Sequence, residues 1–382
     1  MAPPGPEIKA QAAATVAFSA GGPVRARVTA RPGTWQPRLM AVTFKAGVAG
    51  WDYKNWNGTV YPERPGRGFD KLEYLSLYLP LFEINRTYYR AATAAEARSW
   101  LERVAPRPGV VFTAKIPEQF VAPGKSWTRE DVASAREGLD VLNEGGRLGA
   151  AVLQFAYSFK RIKRDHTIDQ DALKWLLRAA GAFKGLPVFV EFRHDSWDAP
   201  EVLAELRERK IGWVNVDQPH LPKDSLRLRP YATTSTGYIR MHGRNYQTWM
   251  RFFGKGSKKT AENVEKRQKK TPEQRRAEED QKNARFDYLY TRHELADIAR
   301  TAREIAREPE VREVYAVNNN HNFGKAPTNA LMLESMLTEE DLPAPPDLFE
   351  HYSEALKGFA HPVPADELRS TDEAAPSAPA PS

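Results

Sequence analysis

The chain has 382 residues, 41% of them hydrophobic, with no cysteine and a formal net charge of +7. The length suits one large domain or two ordinary ones, and the composition suits a soluble globular protein. Disulfides, thiolate nucleophiles and Cys-ligated metal sites are excluded. No apolar run approaches the ~20 residues that span a bilayer, so a cytoplasmic chain without membrane contact is expected.

Residues 1–40 are rich in Ala, Pro and Gly and show no lasting periodicity, which predicts a disordered N-terminal extension without a secretory signal. From there to about residue 340, apolar strand-like runs alternate with helical stretches. Eight strands are expected, at Phe44–Gly50, Phe82–Thr87, Val110–Ile116, Gly149–Phe155, Pro187–Arg193, Gly212–Asp217, Gly237–His242 and Glu313–Asn318. Helices are expected between most of them, among them Ala92–Val104, Arg129–Glu144, Asp169–Ala182, Pro200–Arg209 and Arg292–Arg307. Eight βα units predict a single-domain α/β fold, the TIM (β/α)8 barrel, over residues 41–340. An open doubly wound sheet is the alternative, but no Gly-rich dinucleotide fingerprint follows the first strand.

Segment 254–283 holds ten Lys/Arg, six acids and no aromatic residue, so it reads as a solvated insertion after strand seven that could also touch phosphates. Residues 341–361 carry Leu348, Phe349, Tyr352, Leu356 and Phe359 at the spacing of a short amphipathic helix packed on the body. Residues 362–382 read as a disordered tail.

Side chains alternate along a strand, so in a closed barrel every second residue points inward. Parity places Glu83 and Asn85 inward on strand two, Lys115 on strand three and Gln154 on strand four. It places Glu191 and Arg193 inward on strand five, Asn215 and Asp217 on strand six, Arg240 and His242 on strand seven and Asn318 on strand eight. Nearly all lie near C-terminal strand ends, where TIM-barrel active sites are built. The loops just beyond add Trp51–Tyr61, Tyr88, Tyr89, Arg90, His194, Trp197, Arg244 and Asn319 to Lys325.

The segments GWDYKNWNGTVYP, FEINRTYYR, AKIPEQF, LQFAYSF, VEFRHDSW, YIRMHGR, ARFDYLYTRHEL and NNNHNFGKAPTNA, in this order, resemble the domain of unknown function 72, or YecE-like, family between Phe44 and Leu337. The resemblance implies a TIM barrel and leaves the activity open. Two departures stand out. The family's proline-rich stretch after the strand-four Gln is here Gln154-Phe-Ala-Tyr-Ser-Phe, and the charged insertion lengthens the link after HGR.

Four chemistries fit these residues. In the first, an enzyme holds an anionic or phosphate-bearing substrate on Lys115, Arg193, Arg240 and Arg244. Glu191, Asp217 and His242 serve as general acid or base, and Glu83, Asn85, Tyr88, Arg90, Gln154, His194, Trp197, Asn318 and Asn319 bind substrate. In the second, Glu191, Asp217 and His242 hold a divalent metal, against the repulsion of neighbouring arginines. In the third, two of Glu83, Glu191 and Asp217 hydrolyse a glycoside. In the fourth, the basic body and insertion bind nucleic acid without catalysis. No cofactor follows from the sequence.

Overall fold

A computed structural model describes residues 42–163, 167–220, 224–248, 271 and 284–374. The extension 1–40 and nearly all of the insertion 254–283 lie outside the described residues. Eight parallel strands, β1 Thr43–Ala49, β2 Leu81–Ile84, β3 Val111–Lys115, β4 Leu148–Gln154, β5 Val188–Glu191, β6 Gly212–Asp217, β7 Thr236–Met241 and β8 Glu313–Asn318, close into a barrel in sequence order. Each sits within a residue or two of its expected start. The chief differences are the ends of β2 and β5, which stop at Ile84 and Glu191 before the chain turns. Gly47 permits the close β1–β2 approach, because a Cβ there would lie 1.8 Å from the Leu81 carbonyl oxygen.

The expected helices form at Ala94–Arg103, Arg129–Glu144, Gln170–Ala182, Pro200–Glu208 and Arg292–Ala306. Reciprocal caps start three of them: Thr93 with Glu96, Thr128 with Asp131, and Thr291 with Glu294. A further helix, Lys325–Thr338, has no counterpart among the expected ones. Ten of its residues are buried, Thr328, Asn329 and Ser335 among them, so it is enclosed on nearly every side and shows no amphipathic period.

Two apolar layers follow from strand alternation. Val48, Phe82, Val190, Trp213, Ile239 and Met241 pack outward against the helices. Leu81, Val152, Phe189, Val214, Val216, Tyr238 and Val317 fill the barrel interior. Strand six therefore faces the opposite way from the expectation: Val214 and Val216 point inward, and Asn215 and Asp217 outward. The register agrees, since Val216 pairs with inward Arg240 and Asp217 with outward Met241. On β8, Asn318 pairs with Met241 and is likewise outward, donating to the Gly47 carbonyl at 3.2 Å.

After the barrel, two strands, β9 Leu342–Ala344 and β10 Ala360–Pro362, pair in parallel around two short helices, Pro346–His351 and Ser353–Leu356. Leu348 and Leu356 are buried, with Phe349, Tyr352 and Phe359 packed beside them. The expected disordered tail is corrected in part. A helix runs Ala365–Ala374, anchored nearby by Arg369 to Glu73 at 3.0 Å and by the Tyr78 hydroxyl to the Val363 carbonyl at 2.8 Å. Residues 375–382 lie outside the described residues.

Glu334, on the helix after β8, accepts from the Ala46 amide at 3.1 Å, beyond the end of the β1–β2 ladder. Burial pushes its carboxyl up to about 8. The folded chain therefore holds a proton there that the unfolded chain releases near pH 4.3, so this group lowers stability as pH rises from about 4.3 to 8. Glu334→Gln is expected to flatten the fall in denaturant midpoint between pH 5 and pH 8.5. An unchanged slope would show that Glu334 is solvated.

Candidate functional site

The inward side chains of β7 set the levels of the interior. Tyr238 lies in the apolar layer, Arg240 above it, and His242 just past the strand's end. The Tyr238 hydroxyl bridges Thr113 and Glu83, both at 3.1 Å. Arg240 then grips Glu83 with two parallel bonds, Nε to Oε2 at 2.8 Å and Nη2 to Oε1 at 2.6 Å, with both side chains fully buried. Its Nη1 reaches Glu191 at 3.4 Å.

Glu191 is the second buried acid. It accepts from Arg193 at 2.6 Å and Gln154 at 2.9 Å besides Arg240, and its Oε1 lies 3.1 Å from His242 Nε2. Burial alone would raise its carboxyl, but the Arg193 and Arg240 guanidiniums and the His242 bond outweigh it and hold Glu191 well below the ordinary carboxylate range. For His242, burial acts first and the two guanidiniums reinforce it, so the imidazole stays neutral. Its Nδ1 lies 3.1 Å from the Asn319 amide, and its Nε2 lies 3.1 Å from Glu191, 2.9 Å from Arg193 Nη2 and 3.0 Å from Arg240 Nη1.

Above this floor opens a cavity of about 500 Å³. Eight of the expected residues line it: Asn85, Tyr88, Lys115, Gln154, Arg193, Arg240, His242 and Asn319. Glu83 and Glu191 sit directly beneath, bonded to the lining. Lys115 differs from its neighbours. Among the described residues its amine has no carboxylate or hydrogen-bond partner, and its contact is the Tyr88 ring, 5.9 Å to the centroid. Burial first, and then the Arg240 charge, draw its ammonium down to about 7 against the pull of Glu83 and Glu191. Burial pushes the Tyr88 phenol up to about 12, so it stays protonated.

The remaining expected residues are placed elsewhere. Asp217 turns outward, gripped by Arg244 at 2.7–3.1 Å and by the Tyr290 hydroxyl at 2.5 Å, which pins the chain returning through Tyr288 and Tyr290 onto the ends of β6 and β7. Arg244 is thereby a strap residue, not an anion contact in the cavity. Asn215 likewise holds the loop after β6, bonding Tyr231 through both its amide atoms. Asn318 faces the helix layer. Arg90 lies on the surface with Glu96, at 2.6 Å. His194 bonds Asp224 and Ser196, both at 3.0 Å, and caps the short turn Asp195–Trp197. Trp197 is fully buried and stacks on Phe192 at 4.4 Å.

The metal expectation fails on this geometry. Asp217 is on the far side of the strand from Glu191 and His242, and no group of three His, Asp or Glu that could hold an ion exists among the described residues. The glycosidase expectation fails too, since Glu83 and Glu191 are both bridged by Arg240 while such enzymes need one protonated carboxyl.

Tyr53, Tyr89, Phe155, Ala156, Tyr157, Gln218, Ser225, Phe286 and His321 complete the lining. Tyr53 stacks flat on His321, with centroids 4.2 Å apart. Tyr53, Tyr89 and His321 lie in the aromatic and Asn-rich loops already marked by the sequence. Gln218 had a readable signal: Trp213 belongs against the helices, which makes residues 214, 216 and 218 inward. Phe286 follows the charged insertion and carries no such signal.

A closed barrel of eight parallel strands with surrounding helices and a charged, concave C-terminal mouth defines a TIM (β/α)8 barrel. The model of the family described as a protein of unknown function, DUF72, matches residues 45–348, and the chain belongs to this family, also known as YecE-like. A DUF72 family protein of Thermotoga maritima is 28% identical, with a TM-score of 0.59 over 78% of this chain and 100% of its own. A DUF72 family protein of Enterococcus faecalis is 22% identical, with a TM-score of 0.59 over 78% of this chain and 96% of its own. The second likeness speaks to the fold alone. No curated protein matches the chain.

Removing one partner of a buried ion pair leaves the other uncompensated, at a cost of about 3–5 kcal/mol. Arg240→Met is expected to destabilise the protein by that order in denaturant titrations, through Glu83. The Glu83→Met/Arg240→Met double variant should recover much of the loss. If the single variant costs under about 1 kcal/mol, the pair does not hold the barrel mouth together.

Proposed function

We propose that this protein is an enzyme that binds a small anionic substrate, carboxylate- or phosphate-bearing, at the C-terminal mouth of its barrel. The observation that carries this reading is the imbalance of the cavity wall. Glu83 and Glu191 are taken up by Arg240, Arg193 and His242, while Lys115 has no anion beside it among the described residues. An incoming anion would meet Lys115 as a point charge and Arg193 as a planar donor. Glu191 then serves as a counter-ion that orients the guanidiniums. It accepts from Arg193, Arg240 and Gln154 and is held ionised, which suits it poorly to acid catalysis. Lys115, drawn down to about 7, changes charge near neutral pH.

Nucleic-acid binding is the second reading, and its support is the charge of segment 254–283. The cavity favours the small anion, because its cations lie at the bottom of a concave mouth rather than along a surface groove. The cytoplasmic reading rests on composition alone, the cysteine-free sequence.

Sulfate, whose charge is constant over the range, tests the anion site by calorimetry. Lys115 is protonated below about 7 and discharged above it, so binding should be tighter at pH 6 than at pH 8.5. Arg193→Gln should weaken it about tenfold, the worth of a charge-assisted bond. Absent binding, or affinity unmoved by both pH and the substitution, would contradict the proposal.

A further inference from the structure

We propose that the Lys115 amine is a covalent nucleophile. It condenses with the carbonyl group of a small oxo-acid or a phosphorylated aldehyde or ketone, while Arg193 holds the substrate's anionic end. This rests on the reading above that the mouth takes a small anion, and it names the chemistry of that same site.

The first support is geometric. Four lysines of the described structure meet carboxylates, as Lys71 meets Asp52 at 2.7 Å and Lys325 meets Asp287, and Lys45 meets the Gly109 carbonyl at 3.0 Å. Lys115 instead ends β3 on the cavity wall against the face of Tyr88, with its nearest acids already occupied. Its nitrogen lone pair, once deprotonated, is therefore not tied up in a bond to the protein. The second support is chemical. A residue kept only for positive charge is better chosen as arginine, which stays charged in any surroundings. An amine set between desolvating walls and two guanidiniums is instead partly neutral at physiological pH, the condition under which lysine attacks carbonyls. The third is the neighbouring donor set. Arg193 lines the same cavity, its guanidinium held in place by Gln218 at 2.7 Å and Glu191 at 2.6 Å, and adds a fixed positive charge beside the amine, so the substrate is recognised at two points.

The step balances without any further reagent. The neutral amine attacks the carbonyl carbon and forms the N–C bond as the C=O π pair moves to oxygen. The nitrogen's surplus proton passes to that oxygen, giving a carbinolamine. Protonation of the hydroxyl then releases water and leaves an iminium. Overall, one ammonium and one carbonyl give one iminium and one water, with no oxidation or reduction. The protonated Tyr88 phenol, on the same wall, is available to relay the proton.

Reductive trapping tests this directly. The full-length protein is incubated at pH 7 with sodium cyanoborohydride and, separately, glyoxylate, pyruvate or dihydroxyacetone phosphate, then digested and mapped by mass. With at least one probe, the reduced adduct is expected on Lys115, formed about tenfold or more faster than on any exposed lysine of ordinary pKa. Excess sulfate should suppress it, and it should be missing from Lys115→Arg. The wild-type peptide map decides the matter even if that variant folds poorly. Adducts with all three probes that are confined to surface lysines, or absent, would overturn the covalent role. If sulfate nevertheless binds, the anion site survives and the nucleophile does not. If sulfate fails to bind as well, both proposals fall.

Discussion

Arg240 is the cation on which the barrel mouth depends. A guanidinium fully removed from water is tolerable only when paired and hydrogen-bonded. Here Glu83 supplies a two-pronged partner and Glu191 a second acid. The arrangement fixes more than Arg240. It uses up both buried carboxylates, holds Glu191 ionised and His242 neutral, and adds a positive field above which Lys115 sits without an acid of its own. The chemistry open to the cavity follows from that distribution of charge.

The barrel separates two tasks by height and by face. Its lower interior is apolar, filled by residues such as Phe189, Val214 and Tyr238, and polar side chains enter only toward the C-terminal ends. On the outer face of the same strand ends, Asp217 and Asn215 do structural work. Asp217 clamps Arg244 and Tyr290, and Asn215 clamps Tyr231. The first clamp secures the chain on either side of the insertion, and so helps to hold Phe286 against the cavity. Polar residues at strand ends thus fall into two sets, one facing a prospective substrate and one facing the loops that frame it.

Much of this was legible in the sequence. The alternation of apolar runs and helical stretches located all eight strands, and motif order pointed to the family. Parity placed Glu83, Lys115, Gln154, Glu191, Arg193, Arg240 and His242 inward, because on those strands a single face is polar near the C-terminal end. It failed on β6, where both faces are buried and the rule "polar means inward" has no purchase. The bulk of Trp213, suited to the helix layer, was the better guide. It failed at Asn318 for a similar reason, since three asparagines in succession leave parity undetermined. The helix Lys325–Thr338 escaped because burial on nearly all sides erases the amphipathic period. Pairing was not legible at all: nothing in the order of residues says that Glu191 is shared among Arg193, Arg240 and His242 while Lys115 is left without an acid.

That last point is the centre of the account, and the titration of Lys115 tests it most directly. Heteronuclear NMR of the full-length protein, with the Lys115 side-chain signal assigned by its loss in Lys115→Arg, reports the ammonium midpoint itself. The account predicts a midpoint near 7. A midpoint near the ordinary lysine value of about 10.4 would mean that the amine is solvated or paired, and would contradict it.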